Sequence, residues 1–307
     1  MITPALAPHF LSVLVSLIFI SCSERDGSVP PLTQDELKNA EYSGLSFGSR
    51  TVRLTDGVWE GDPYVAGGSS RDRVVLVDGF TTRADFDTSG SEEAVVFLTQ
   101  NSGGSGDFVY MSVVERKNGK PYNRGTVMVG DRVQIRDIRI DGWSIYLDLV
   151  EIGPDDAGCC PGQLITKSWD VLPGGLFPTP FEVTGRLSLE EIGGREWRLE
   201  RWGLREELSD TLQITLVYSA GGFSGRSGCS RYTASVTEGY QPGDMTVGTA
   251  TSTRMACPED LMTSENRFLA GLQSATKFGF FCGLLAITTM EEGAITTYLF
   301  SSGTSDE

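Results

Sequence analysis

The sequence predicts a mainly β protein with few helices, arranged as two small β-rich domains, the second a sheet packed with one helix. Three observations carry this. The chain has 307 residues, enough for two domains that each bury a core. It contains 37 glycines, and its apolar residues fall in short β-branched and aromatic runs rather than in long helical periods. The stretch Pro173 to Pro180 (PGGLFPTP) is crowded with proline and glycine, which favours a boundary there. The expected units are residues 36–172 and 191–303, joined by a Pro/Gly linker over 173–190 and followed by a disordered tail at 304–307. Such a linker implies two cores with few shared contacts.

The N-terminus comes first. Residues 1–21 carry no Asp, Glu, Lys or Arg, and Phe10 to Ile20 form an unbroken apolar run. That run is about half the ~20 residues a membrane-spanning helix needs, and its length suits the core of a signal peptide. Phe19-Ile20-Ser21-Cys22 resembles the lipobox of bacterial lipoproteins. The resemblance implies cleavage before Cys22, lipidation of that residue, and a lipid-anchored place in the cell envelope. Ser23 rather than Asp follows the cysteine, which by the sorting pattern of Gram-negative lipoproteins implies the outer membrane, facing the periplasm. Residues 22–35 then read as a flexible tether.

His9 is the one histidine, and it lies in the segment that export would remove. A mature chain without imidazole excludes Ser-His-Asp and Cys-His catalysis and zinc sites built on histidine. No catalytic residue is assigned, and a non-enzymatic role is expected; a carboxylate-based enzyme of unknown class is the alternative. The net charge of −16 argues against a nucleic-acid partner, which needs a cationic face.

Residues 36–172 contain five apolar runs that read as strands: Arg73-Asp78, Ala94-Thr99, Phe108-Glu115, Val133-Ile140 and Ser144-Val150. Asp78-Gly79, Asn118-Gly119 and Asp141-Gly142 lie between or beside them as tight-turn pairs, because glycine accepts positive φ. Leu98 to Gly106, Gly130-Asp131-Arg132-Val133 and Cys159-Cys160-Pro161 resemble an uncharacterised domain that recurs in bacterial lipoproteins. No function comes with that likeness.

Beyond the boundary, short strands are expected at Glu196-Trp202, Leu212-Tyr218, Cys229-Val236, Lys277-Phe281, Leu284-Thr289 and Ile295-Phe300. One helix begins near Pro258, with Glu259 and Asp260 at its positive end and Leu261, Phe268, Leu269 and Leu272 as its apolar stripe. Trp197-Arg198-Leu199, Gly228-Cys229-Ser230-Arg231-Tyr232, Thr253-Arg254-Met255-Ala256-Cys257 and Glu265 with Phe268-Leu269 and Leu272 occur in that order. This set resembles the META domain, also called HslJ-like, over about residues 191–302, with Ser230 where the family has Asn. The resemblance implies an envelope protein linked to heat shock and stress resistance, without established catalysis. It also implies a disulfide between Cys229 and Cys257, the family's two motif cysteines.

The remaining candidates are local. Asp85, Asp87, Ser89 and Glu93, with Gly90 for the sharp turn, copy the one-three-five-nine spacing of a calcium loop. Val96 stands where such a loop carries its bidentate Glu, so a solvated acidic turn is the competing reading. Cys159 and Cys160 form either a vicinal disulfide or two turn thiols, and Cys282 reads as a small buried hydrophobe. The Gly-rich stretches Asn101-Gly106 and Gly221-Gly228 lack the G-K-[ST] of a phosphate loop and read as turns. The expected partners are the membrane, through the N-terminal lipid, and an envelope protein or small ligand. The expected cofactor is none, with calcium as the one alternative.

Overall fold

The structure, a computed structural model, describes residues 29–46, 50–203, 206–209, 212–253 and 255–302. The expected signal peptide, Cys22 and the tail at 304–307 lie outside the described residues. No described helix is long and apolar enough to cross a membrane.

The described end of the expected tether is built into the fold. Leu32 is buried, and the Pro30 and Pro31 carbonyls accept hydrogen bonds from Arg116 at 3.1 and 3.3 Å. Thr33 then caps α1 (Gln34–Lys38) in a capping box, its hydroxyl accepting from the Glu36 amide while Glu36 accepts from the Thr33 amide.

The first unit is a sandwich with a third layer. After a short pair, β1 (Glu41–Tyr42) and β2 (Val52–Arg53), the strands β3 (Val58–Glu60), β4 (Arg73–Ala84), β5 (Glu93–Asn101), β6 (Phe108–Lys117) and β7 (Lys120–Asp131) form an antiparallel sheet in chain order. A second sheet holds β8 (Gln134–Asp141), β9 (Ser144–Glu151), β10 (Gln163–Leu172), β11 (Gly175–Pro178) and β12 (Glu182–Arg186). Successive residues of a strand face opposite ways. On β5, Val95 and Phe97 pack against Ile145, Leu147 and Leu149 of the second sheet. Ala94, Val96 and Leu98 pack the other way, against Leu37, Tyr42 and Leu54 of the N-terminal segment. Both faces of β5 are covered, which is why its sequence is continuously apolar.

Three local expectations change here. Residues 173–190 are not a linker: β11 and β12 both pair with β10, so the prolines and glycines mark bends between short edge strands. Asp78-Gly79 is not a hairpin turn but a bulge inside β4, where the register shifts between Leu76 and Thr81 and Gly79 has φ 74°. The strands β7 and β10 lack the clean patterning of their neighbours and were not expected. β7 carries Pro121 and Gly125 and shifts register twice against β6.

The second unit is a near-closed barrel with one face of a helix packed into its core. After a 3₁₀ turn (Leu189–Ile192) come β13 (Trp197–Trp202), β14 (Glu206–Glu207), β15 (Thr215–Ser219), β16 (Gly222–Arg226), β17 (Arg231–Glu238), β18 (Met245–Val247) and β19 (Thr251–Ser252). α2 (Glu259–Gln273) and then β20 (Lys277–Phe281), β21 (Leu284–Glu291) and β22 (Ala294–Ser302) complete it. The main path runs β18-β17-β16-β15-β13-β22-β21-β20. Its two ends meet: Met245 N donates to Thr276 O at 2.9 Å, Phe278 N to Gly243 O at 2.8 Å, and Asp244 bridges Lys277. That contact covers the two end strands of the path, which would otherwise be open to pairing with another chain. Most of the expected Gly221-Gly228 loop is the strand β16, whose glycines allow close approach to Thr215. α2 inserts Phe268 and Leu272, both fully buried, with the Phe268 ring 5.3 Å from Tyr232 and 6.2 Å from Tyr298.

The two units share a core. Val150 and Leu164, on the outer face of the second sheet, pack with Leu187, Leu189, Ile192 and Trp197 in the same cluster as the barrel interior. Gln134 Oε1 accepts from Phe280 N at 2.8 Å, and Arg136 pairs with Glu191 at 2.7 Å while its guanidinium lies 5.1 Å from the Phe280 ring centre. The expectation of two cores with few shared contacts fails here, because the connecting residues are strands and a buried 3₁₀ turn.

Candidate functional site

The acidic stretch between β4 and β5 folds into the turn its spacing suggested. Both oxygens of Asp85 accept backbone amides, from Ser89 at 3.0 Å and Gly90 at 2.8 Å, and Asp87 Oδ1 accepts from Ser89 N at 3.1 Å. Glu93, the first residue of β5, is buried and accepts from Phe86 N at 2.9 Å. Asp85, Asp87 and Glu93 each direct a carboxylate oxygen so that all lie within 4.8 Å of one another. Ser89 sits between them through its amide, and its hydroxyl oxygen accepts from Ser91 N at 3.3 Å.

The electrostatics of this loop are uneven. Burial pushes the Glu93 carboxyl above its ordinary value, and the charges of Asp87 and Asp85 add to that rise. Hydrogen bonding from Ser89 holds Asp87 below its ordinary value. Arg124, on β7, faces the cluster with Nη1 3.6 Å from Asp87 and 3.9 Å from Glu115. The Arg124 charge acts on Asp87 and Glu93 and offsets part of the repulsion within the cluster. Calcium takes 6–8 oxygens. This donor set, all oxygen and partly desolvated, fits a hard cation better than a zinc ion, which favours nitrogen and sulfur.

A second cluster ties α2 to the barrel. Glu265 Oε2 accepts from Ser230 N at 2.7 Å and from the Ser227 hydroxyl at 3.0 Å. Ser230 thus contributes its main-chain amide to Glu265. Beside this latch, Cys229 and Cys257 are bonded, with Cα atoms 6.2 Å apart, and the bridge joins the β16–β17 turn to the approach of α2. Further along the helix, Arg267 binds Glu206 at 2.7 and 3.1 Å and Glu291 at 3.0 and 3.1 Å, and its guanidinium lies 4.5 Å from the Trp202 ring centre. Those hydrogen bonds from Arg267 hold Glu291 below the usual carboxylate range. A groove of about 750 Å³ opens beside them, lined by Thr263, Arg267, Gly271, Met290 and Ile295. Its one cation is already satisfied, so the cluster holds the helix rather than offering a free charge.

The other sequence candidates are placed as follows. Cys159 and Cys160 form a vicinal disulfide in the β9–β10 connection, and Asp156 fastens that loop by accepting from Gly153 N at 2.8 Å, Gly162 N at 2.9 Å and Arg186 at 2.5 Å. Cys282 is not a core residue. It occupies the first turn position of the β20–β21 hairpin with φ 51°, followed by Gly283 at 79°, and is partly exposed. Its thiol is nevertheless pushed up to about 12 by burial of the sulfur, which keeps it protonated and unreactive at neutral pH. Sequence reasoning missed Arg124, Arg267 and Gln134. The only signal for Arg267 was its place two residues after the motif glutamate; Arg124 and Gln134 gave none.

Residues 190–301 match the family model of the META domain. That span takes in the barrel, the latch and the disulfide of this META unit. No curated protein matches the chain. An NMR structure of a protein from Burkholderia xenovorans is similar over 38% of this chain and 86% of its own, at 24% identity and a TM-score of 0.30.

Proposed function

We propose that this chain is a non-catalytic envelope lipoprotein, anchored through Cys22, that serves stress response or envelope maintenance through contacts of its META unit with a protein or a small ligand. The observation that carries the reading is the META match over residues 190–301, taken together with the apolar run and Cys22 at the N-terminus. The polar groups of the META unit support it. Glu265, Arg267 and Glu291 are spent on holding α2, an arrangement that stabilises a surface rather than poising an acid and a base. Cys22→Ser tests the anchor. The variant is expected to leave the membrane fraction or remain as uncleaved precursor. A normal mature mass and unchanged detergent partitioning would overturn the reading.

A second reading is calcium binding by the loop of Asp85, Asp87, Ser89 and Glu93, favoured by the convergence of three carboxylates within 4.8 Å. Titration calorimetry decides it. Heat on adding calcium, abolished by Asp85→Asn with Glu93→Gln, supports the site, whereas a flat titration leaves a solvated turn.

A further inference from the structure

The chain contains five lysines. Three are neutralised within the fold: Lys38 by Asp78 at 2.6 Å, Lys167 by Glu151 at 2.6 Å, and Lys277 by Asp244. The other two, Lys117 and Lys120, sit directly opposite each other across the Asn118-Gly119 turn of the β6–β7 hairpin. No carboxylate among the described residues pairs with either one. Like charges facing each other in register destabilise a hairpin. The arginines of the same hairpin are arranged differently, for Arg116 binds Glu36 at 2.7 Å and Arg124 faces Asp87 and Glu115. In a protein of net charge −16, the hairpin tip is where unpaired lysines collect.

The same tip is where the N-terminus arrives. Arg116, the residue before Lys117, holds the carbonyls of Pro30 and Pro31. Val29 lies seven positions after Cys22, a span of no more than about 25 Å. A lipid on Cys22 therefore keeps this end of the sandwich close to the membrane. Tyr122 lies next to the tip, 46% exposed, with Lys117 Nζ 4.4 Å from its ring centre. An exposed tyrosine beside lysines suits the headgroup layer, where an apolar ring with a polar end is favoured. The acidic loop shares this end of the sheet. Asp87 of that loop shares Arg124 with Glu115, and β6 runs two residues beyond Glu115 to reach Lys117.

We infer that the β6–β7 hairpin, through Lys117, Lys120 and Tyr122, docks on an anionic lipid surface and sets the orientation of the protein on its membrane. The inference rests on the lipoprotein reading for its anchor. Each basic residue near such a surface strengthens contact about fivefold, an effect confined to roughly the screening length. Two lysines cannot hold the chain at the membrane unaided, but they can orient a chain that is already tethered.

Amine labelling followed by peptide mapping tests this, since the five lysines report separately. The whole mature chain is placed on vesicles by its own acyl groups and, in parallel, by an N-terminal hexahistidine on nickel-chelating lipid. On phosphatidylcholine vesicles containing phosphatidylglycerol, labelling of Lys117 and Lys120 is expected to fall roughly fivefold or more relative to phosphatidylcholine alone. Lys167 and Lys277 should be unchanged, and high salt should restore labelling at the tip. Equal labelling on the two vesicle types, or equal protection at all lysines, overturns the docking. The mature mass reports acylation independently. A chain without acyl groups would end the lipoprotein reading, while the hexahistidine-tethered sample would still decide the hairpin.

Discussion

β5 and β17 are strands of nearly equal length with opposite environments. β17 alternates, with Tyr232, Ala234 and Val236 buried and the residues between them exposed. β5 is buried almost throughout, because the second sheet covers one face and the N-terminal segment the other. The difference extends to how each unit fastens its covering layer. The META unit holds α2 by a disulfide and by Glu265, whereas the sandwich holds its N-terminal cover by the Arg116–Glu36 ion pair and the Arg116 bonds to Pro30 and Pro31. One unit should respond to reductant and the other to acid.

The largest expected effect breaks the META core. Phe268→Ala removes a fully buried ring between Tyr232 and Tyr298 and should cost about 3–5 kcal/mol in denaturant unfolding. Because Val150 and Leu164 belong to that core, amide exchange in β9 and β10 should quicken as well. Fast exchange confined to residues 190–301 would show that the shared core does not couple the units.

Next comes the disulfide. Its partners are 28 positions apart, so Cys229→Ala with Cys257→Ala should cost about 3.5 kcal/mol on the chain-entropy account. Cys159 and Cys160 are adjacent and close almost no loop, so replacing both should change the melting temperature far less. Equal effects from the two pairs would remove the entropic explanation.

Gly271→Ala should have a smaller effect, with a sign opposite to ordinary helix propensity. A methyl group there would overlap the hydroxyl of the buried Tyr298, and overpacking of this kind costs about 1–3 kcal/mol where a solvent-facing Gly→Ala would stabilise. A raised melting temperature would show that Tyr298 moves aside.

The smallest effect concerns pH and the sandwich. The Arg116 side chain, helped by the Thr33 amide, holds Glu36 at about 2 against an ordinary 4.5. A carboxyl whose folded value is depressed contributes stability that is present above its unfolded value and lost as pH falls toward the folded one. Protection of α1 should therefore decline between pH 4.5 and 2, and Arg116→Met should flatten that decline. An unchanged slope in the variant would assign the acid response to other carboxylates.

Where the local pattern decided the outcome, it was legible. Ile135, Ile138 and Ile140 face one core, and the α2 stripe of Phe268 and Leu272 faces the other. The capping box at Thr33 and Glu36 is an equally local signal, and it lies in the stretch expected as tether. The calcium-like spacing of Asp85, Asp87 and Glu93 did correspond to spatial convergence. Arg124, which offsets part of the negative charge there, enters from a strand whose Pro121, Gly125 and bulges conceal it.

Composition and spacing alone determined that the chain is rich in strands, that one helix follows Pro258, that its one histidine is His9, and that an acidic turn precedes β5. These depend on neighbours within a few residues, where propensity, turn geometry and charge act directly. Tertiary structure decided which strands lie between two layers, how the META sheet closes between Met245 and Thr276, and that residues 173–190 join the first sheet. It also decided which lysines find a carboxylate and which do not. Each of these is a pairing across tens of residues, favoured by burying apolar surface and satisfying main-chain polar groups together, and no short window of sequence contains both partners.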